Sequence, residues 1–341
     1  MTEKVRVAVD AMGGDLAPTE VVKGAIEAAK ENDLVKVFLV GQEDKINVEL
    51  AKYEYDHERI EVVNATEVIE MAEAPVLAIR NKKDSSIVKA MYMVKHGEAD
   101  AYVSAGSTGA NLVGGQLIVG RIKGVERAPL APFIPTEKGV SLLIDCGANV
   151  DARSSHLVQF AKMGSIYYES VMQKRNPTVA LLSIGVEEDK GNALVKETYP
   201  LLKNCPDINF IGNIEARDVS SGVADVIVTE AFAGNIALKM YEGVAKTMFS
   251  TLKNGLLSST RAKIGALLIK PALKETLKDF NIDKYGGAPM LGLNGLVVKT
   301  HGSSKAVEIK NSILQCVVFK EHNVNDKIRE VLNLQDAHVK A

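Results

Sequence analysis

The sequence predicts an α/β protein built on a largely parallel β-sheet. β-Branched, apolar runs alternate with helical patterns through most of the 341 residues. Most of these runs are continuously apolar, which is typical of strands that helices cover on both faces. Glycine-rich and polar stretches recur where the strands end. Ligands of such sheets bind beyond the carboxyl ends of the strands, so these stretches form the candidate site.

The strands and helices follow one another in a regular order. Nine strands are predicted, at 5–10, 35–41, 59–63, 99–105, 139–145, 177–184, 208–212, 224–229 and 295–302. Helices are predicted at 18–31, 85–97, 153–174, 190–204 and 304–320. Pro18 suits the first turn of the first helix, where its missing N–H costs nothing. No repeat or linker interrupts the pattern, so residues 1–341 are expected to form one α/β catalytic unit, with one lobe or two.

Composition and charge exclude several classes of protein. Hydrophobic residues make up 46% and charged residues 25%, which are globular values. A net charge of −2 argues against a nucleic-acid binder that depends on phosphate contacts. The three cysteines form no CxxC pair and no cluster has the spacing of metal ligands, so we expect a reduced, cytoplasmic protein without a metal. No signal peptide and no membrane span of ~18 residues is apparent.

The stretch "VSAGSTGANLVGG" at 103–115 is the first candidate site. It lacks the spacing of the dinucleotide fingerprint and the lysine of a Walker A loop. A helix N-terminus with three hydroxyls remains, which suits a small anion such as inorganic phosphate. The alternative is simple helix capping by Ser107. The residues concerned are Ser104, Gly106, Ser107, Thr108 and Gly109.

The stretch "DAMGGD" places Asp10 and Asp15 around Gly13 and Gly14. The two carboxylates could hold magnesium, or they could cap backbone N–H groups or orient a lysine. A bare carboxylate would repel a phosphate, so Asp10 is expected behind the anion and not in contact with it.

Two further strand ends carry candidate catalytic groups. Lys190 precedes a glycine and a helix, so it is either a solvated surface lysine or a partner for an anion or oxyanion. Asn235, in "TEAFAGN", is either a helix N-cap or an amide donor to a developing oxyanion.

Cys146 and His301 each have a catalytic and a structural interpretation. Cys146 could accept an acyl group, but a small buried hydrophobic side chain is favoured. His301, in "HGSS" with Gly302 and Ser303, is either a general acid or a structural histidine.

Residues 246–278 form a basic amphipathic segment that is predicted to be helical. Seven basic residues accompany one acid, Glu275, and apolar residues lie between them. Such a segment suits an anionic membrane surface or an acidic carrier protein, or else a helical hairpin in a dimer interface. The candidate contact residues are Leu256, Leu257, Arg261, Lys263, Leu267 and Leu268.

Together these motifs resemble the PlsX family, the bacterial acyl-carrier-protein:phosphate acyltransferases. The resemblance spans nearly the whole chain through "VAVDAMGGDLAPTEVVKGA", "SAGSTGAN", "DCGANVDAR", "LLSIGVEEDKGN", "ADVIVTEAFAGNIALK" and "YGGAPMLGLNG…HGSS". It implies a three-layer α/β/α fold with a mostly parallel mixed sheet, like that of isocitrate and isopropylmalate dehydrogenases and of phosphotransacetylases. It also implies a homodimer.

By resemblance, the reaction moves a long-chain acyl group from acyl carrier protein (ACP) to inorganic phosphate, giving acyl phosphate for phospholipid synthesis. Lys190 and Asn235 are the implied catalytic residues. No cofactor is expected. No Ser-His-Asp or Cys-His pair is needed, because phosphate is itself the nucleophile and a thiol of pKa ~8.5 leaves without strong acid help. The implied partners are ACP, the membrane surface as a peripheral contact, and a glycerol-phosphate acyltransferase that uses acyl phosphate. The residues predicted to form the phosphate site, with Asp10 behind the anion, are Asp10, Gly13, Gly14, Ser104, Gly106, Ser107, Thr108, Gly109, His301, Gly302 and Ser303.

The chain departs from the family pattern in three stretches. "TEAFAGN" stands where "TDGFTGN" is expected, so Glu230, Ala231 and Ala233 differ. "SAGSTGA" and "EARD" stand for "SAGNTGA" and "EGRD".

Rival functions remain open from the residues alone. A phosphotransacetylase-like enzyme would use acyl-CoA instead of acyl-ACP, and a membrane-recruited scaffold would show no phosphate-dependent turnover. An NAD-dependent dehydrogenase of the same fold should carry grouped aspartates for magnesium, and none is found in the sequence.

Overall fold

The strands form two sheets, each parallel except for one antiparallel edge strand. The computed structural model describes residues 4–276 and 282–338. The first sheet has the order β10-β11-β4-β1-β2-β3 and the second the order β5-β6-β9-β7-β8. The strands are β1 (Val5–Asp10), β2 (Val35–Gly41), β3 (Ile60–Asn64), β4 (Ala101–Ser104), β5 (Phe133–Thr136), β6 (Gly139–Ile144), β7 (Thr178–Ser183), β8 (Asn209–Glu215), β9 (Val226–Val228), β10 (Ala288–Met290) and β11 (Leu296–Lys299).

Two short strands were not predicted from the sequence. β5 and β10 are the antiparallel edges of their sheets and contain Pro135 and Pro289. Proline cannot donate to a ladder and is confined to sheet edges, so each run looks unlike a strand in the sequence. All nine predicted strands are present with boundaries that differ by a few residues.

A connecting segment, 129–132, holds the two sheets together. The N–H of Ala131 donates to Pro289 of β10 at 3.0 Å, and the N–H of Cys146, just after β6, donates to Leu130 at 2.9 Å. The segment therefore hydrogen-bonds to the first sheet on one side and to the second on the other.

The helices lie on both faces of the sheets, as the continuously apolar strands predict. They are α1 (Thr19–Glu31), α2 (Glu43–Leu50), α3 (Pro75–Asn81), α4 (Ser86–Lys95), α5 (Thr108–Gly114), α6 (Ser154–Met172), α7 (Ala193–Lys203), α8 (Ala231–Leu256), α9 (Thr260–Thr276), α10 (Ala306–Glu321) and α11 (Val324–His338). A π-helical turn, Gly115–Val119, extends α5, and short 3₁₀ turns lie at Ala216–Asp218 and Ile282–Tyr285. The five predicted helices correspond to α1, α4, α6, α7 and α10.

One apolar core runs through both sheets. It joins Val7 and Val103 of the first sheet to Leu142 and Val226 of the second, with Phe160 of α6 among them. A second core lies between the first sheet and the α3–α5 side, and a third lies between the second sheet and the start of α8. This is the three-layer arrangement that the family resemblance implies.

Helices α8 and α9 form a hairpin that, beyond the first turns of α8, has little contact with the rest of the chain. In α8 only Ala231 and Gly234 are buried, and no residue of α9 is. The hairpin contains the predicted helical segment 246–276, while residues 277 and 278 lie outside the described part. None of the described helices is both long and apolar enough to cross a bilayer.

Candidate active site

A cleft of about 420 Å³ opens between the two sheets at the carboxyl ends of their strands. Its polar lining includes the charged or amide-bearing residues Asp15, Asn235, Lys239, Glu242, Lys299, His301 and Glu308, and the hydroxyl group of Thr108. Its apolar lining consists of Met71, Leu130, Pro132, Phe133, Cys146 and Leu238. The cleft therefore offers cationic, amide and carboxylate groups beside apolar side chains.

Three glycine-containing turns meet at the edge of this cleft: the first at 10–15, the second at 104–111 and the last at 301–304. The N–H of Asp15 donates to the carbonyl of Gly302 at 2.7 Å, which joins the first turn to the last. Gly14 has a φ of 102°, and a Cβ there would lie 2.9 Å from that carbonyl. A Cβ on Gly13 would lie 2.6 Å from the backbone nitrogen of Gly106. These glycines are therefore required because the turns approach one another closely.

Asp10 lies behind the cleft, as predicted, and does not line it. The Ser104 hydroxyl donates to its carboxylate at 2.7 Å, and the N–H of Met12 donates at 3.2 Å. The Ser104 oxygen in turn accepts the N–H of Gly106 at 2.9 Å. Burial raises the pKa of Asp10, and hydrogen bonds from Ser86 and Ser104 oppose the rise. Asp10 thus orders the turn that contains Gly106.

At the start of α5, Ser107 is the N-cap, and its hydroxyl accepts the N–H of Ala110 at 3.4 Å. Thr108 is exposed and lines the cleft. A Cβ on Gly109 would lie 2.4 Å from Pro75, so packing against α3 accounts for this glycine. Ser107 therefore caps the helix, which was one of the two alternatives for this residue. The N–H groups of the first turn of α5 have no carbonyl partner within the helix.

Asn235 lines the cleft from the second turn of α8 and is not the N-cap. The cap is Glu230, whose carboxylate accepts the N–H groups of Phe232 at 2.6 Å and Ala233 at 2.8 Å. A Cβ on Gly234 would lie 1.9 Å from the carbonyl oxygen of Asp145. This close approach of α8 to the end of β6 positions Asn235.

His301 lines the cleft, and its Nδ1 accepts the N–H of Ser303 at 3.2 Å. The proton of the neutral ring is then on Nε2. Gly302 lines the cleft beside it.

Cys146 lines the apolar part of the cleft as a buried, neutral thiol. Burial raises its pKa well above the usual range, and the charge of Asp145 raises it further. The favoured alternative, a small hydrophobic side chain, agrees with this environment.

Lys190 does not line the cleft. It is exposed in the turn between β7 and α7, where its N–H donates to the carbonyl of Glu187 at 3.2 Å. Its catalytic role stays a prediction.

Two lysines of the cleft were missed by the sequence analysis. Lys299 ends β11, and Lys239 follows Asn235 by one helical turn and pairs with Glu242 at 2.8 Å. Each had a signal: Lys299 is the single charge in "GLVVKTHG", and Lys239 shares a helix face with Asn235. Among the described residues, no group of three or more His, Cys, Asp or Glu side chains is arranged to hold a metal ion.

Comparison with known proteins decides the family. The model of a family described as "Fatty acid synthesis protein" matches residues 5–327. The chain belongs to this family, the PlsX family. A phosphate acyltransferase from Clostridium novyi (strain NT) is 53% identical over 325 residues, which cover 95% of this chain and 98% of that protein. The chain is therefore an acyltransferase.

Solved structures confirm the fold class of this PlsX-family chain. A phosphotransacetylase from Streptococcus pyogenes superimposes with a TM-score of 0.62 at 17% identity, covering 93% of this chain and 94% of that one. The EutD phosphotransacetylase from Staphylococcus aureus gives 0.60 at 17% identity, covering 92% and 94%. At this identity the likeness shows the fold alone.

Proposed function

We propose that the protein transfers a long-chain acyl group from acyl-ACP to inorganic phosphate, giving acyl phosphate for phospholipid synthesis. The observation that carries the proposal is the cleft, where cationic and amide groups lie beside an apolar surface. A phosphate anion and an acyl chain need these two environments next to each other. The relative named a phosphate acyltransferase supports phosphate as the acceptor.

Phosphate enters the polar part of the cleft, near Thr108, His301 and Gly302. The N-terminal end of α5 favours an anion there, since its first N–H groups are free of helical partners. The turns that contain Gly13, Gly14 and Gly106 hold this end of the cleft in place, and Asp10 orders them from behind through Ser104.

The chemical step is attack of a phosphate oxygen on the thioester carbonyl carbon. A C–O bond forms, the carbonyl electrons move to the oxygen, and collapse of the tetrahedral intermediate breaks the C–S bond. The electron pair leaves on sulfur, and the ACP thiolate takes a proton from water. The Asn235 amide stabilises the oxyanion, and Lys190 is retained as a second catalytic candidate. One oxyanion donor contributes ~3 to 4 kcal/mol.

The acyl chain lies against the apolar lining, which includes Met71, Leu130, Phe133 and Leu238. The α8–α9 hairpin presents basic and apolar residues together, so it is the surface proposed for an anionic membrane, for ACP or for a second copy of the chain. Acyl phosphate released at a membrane surface would reach a membrane-bound glycerol-phosphate acyltransferase directly.

The test is phosphate-dependent release of free ACP thiol from long-chain acyl-ACP by the purified protein, with a chelator present. We expect release that requires phosphate and survives chelation. The matched substrate is the same acyl group on coenzyme A. Faster turnover of acyl-CoA than of acyl-ACP would make acyl-CoA the donor. Lipid binding without any phosphate-dependent turnover would favour the membrane-recruited scaffold.

A further inference from the structure

Lys299 ends β11 at the edge of the cleft. In the parallel pairing of β11 with β4 its partner is Ser104, so the lysine lies directly beside the turn that starts α5. It also precedes the turn that contains His301 and Gly302. Both turns line the proposed phosphate site, and Lys299 lines the same cleft.

The ammonium group of Lys299 is buried and has no ion-pair partner among the residues that the structure describes. The residue is only 8% exposed, and its Nζ donates to the backbone carbonyls of Thr300 and of Ala105, the latter at 3.4 Å. Within the described residues no carboxylate lies within 4.0 Å of it. A buried charge is costly unless an opposite charge accompanies it. Two of the three ammonium N–H groups are used, which leaves one for a ligand.

The charges around Lys299 favour a bound anion. Burial lowers its pKa to about 8; Asp10 and Asp15 act to raise the pKa, whereas Lys239 lowers it. Lys299 is therefore still a cation at neutral pH. Lys239 lines the same cleft but is paired with Glu242 at 2.8 Å, so Lys299 is the lysine of the cleft whose charge is left for an anion.

We propose that Lys299 is the cation that binds the transferred phosphate, with its third N–H directed to a phosphate oxygen. The same chemistry would also fit the phosphodiester that attaches the thiol arm of an acyl carrier protein, and the experiment separates the two sources. Naming inorganic phosphate rests on the proposed function, whereas the anion site itself rests on the geometry of Lys299.

The test compares wild type with Lys299→Met and Lys299→Gln. Met removes the charge, and Gln removes it while keeping N–H donors for the two carbonyls. The matched control is Lys162→Met, because Lys162 is also buried but pairs with Asp207 away from the cleft. Calorimetry measures the dissociation constant for inorganic phosphate without any acyl donor. Steady-state kinetics then measure KM for phosphate and for acyl-ACP.

We expect phosphate to bind about 30-fold more weakly or worse in both Lys299 variants. KM for phosphate should rise in parallel, while KM for acyl-ACP stays within about twofold. Lys162→Met should bind phosphate like wild type. If Lys299→Met does not fold, Lys299→Gln gives the same comparison.

Wild-type phosphate affinity in either folded Lys299 variant would overturn the proposal. An increase confined to the KM for acyl-ACP would also overturn it, because that result would assign the site to the phosphodiester of the carrier. The proposed function fails separately. A wild-type protein that binds phosphate but does not turn over acyl-ACP would disprove the donor and leave the calorimetric test of Lys299 intact.

Discussion

At the scale of single residues, Gly234 decides where Asn235 lies. The first turn of α8 passes so close to the end of β6 that a Cβ on Gly234 would meet the Asp145 carbonyl oxygen at 1.9 Å. Asp145 is itself fixed, because its carboxylate accepts N–H groups from Leu130 at 3.0 Å and from Asn149 at 2.9 Å. Asp145 is held in place, so a side chain at position 234 would have to push α8 away from β6, and the glycine is a steric requirement.

We therefore expect Gly234→Ala to lower the melting temperature by several degrees and to abolish most acyl transfer, because α8 must shift away from β6. Gly243→Ala is the matched control, since nothing lies within 4 Å of a Cβ there and the same helix gains up to about 1 kcal/mol of helix propensity. Thermal unfolding and turnover of both variants check this. Equal stability of the two variants would contradict the steric argument.

Lys190 gives a second prediction at this scale. Lys190→Ala should keep the fold, because the side chain is exposed, and should lower kcat by about 100-fold if its charge acts on the reacting anion. Lys196→Ala, another exposed lysine of the same region, should leave kcat unchanged. Turnover near the wild-type rate in Lys190→Ala would remove this residue from the mechanism.

The cleft shows which residues sequence reasoning can find. Polar, turn-forming motifs after strands give a local sequence signal, and these motifs contain Thr108, Asn235 and His301. Lys299 lies inside an apolar run, where the pattern predicts only a strand. Its proximity to Ser104 depends on the pairing of β11 with β4, which are nearly 200 residues apart.

At the scale of elements, the long, continuously apolar strands could be predicted, because burial on both faces leaves a clear local signal. The edges β5 and β10 could not, since each is short and contains proline. The division into two sheets also escaped prediction. It depends on which strands pair, and on the backbone hydrogen bonds of the segment 129–132, and neither leaves a local pattern.

The α8–α9 hairpin carries the prediction at this scale. Leu257 and Leu268 are 50% and 75% exposed, beside basic residues of α9. Leu257→Glu combined with Leu268→Glu should reduce binding to anionic vesicles by about tenfold or more, because two apolar contacts are lost and two negative charges are added. Vesicle flotation measures this. Val48→Glu with Leu201→Glu, exposed elsewhere, is the control pair, and flotation unchanged by the hairpin pair would refute the membrane contact.

At the scale of the whole molecule, the cleft belongs to both sheets. Lys299 ends β11 of the first sheet, and Thr108 and His301 follow β4 and β11 of that sheet. Cys146 follows β6, and Asn235 follows β9, of the second sheet. The shared core and the segment 129–132 hold the two sheets in a fixed position relative to each other. The polar and apolar parts of the proposed site are therefore aligned only in the complete chain.

The last prediction concerns a second copy of the chain. Apolar residues recur every four positions along α8, and Ile236, Met240, Val244, Met248 and Leu252 are all exposed. Each step of four advances by about 40° around the helix, so they form an exposed stripe that winds around it. A soluble monomer rarely leaves so long an apolar surface uncovered, and a self-complementary pairing of two hairpins would cover it. Wild type should then have about twice the monomer mass of 36.7 kDa in light scattering.

Met240→Glu combined with Met248→Glu should weaken that dimer by about 100-fold or more, because two charges would be buried in an apolar contact. The single chain should keep its circular dichroism spectrum, since both methionines are more than 60% exposed. A monomeric wild type, or a variant that stays dimeric, would refute the pairing. Vesicle flotation of the same variant separates the two uses of the hairpin, because a stripe buried between two copies cannot also contact lipid. Loss of the dimer with unchanged flotation would assign the stripe to the dimer and leave the region around Leu257 and Leu268 for the membrane.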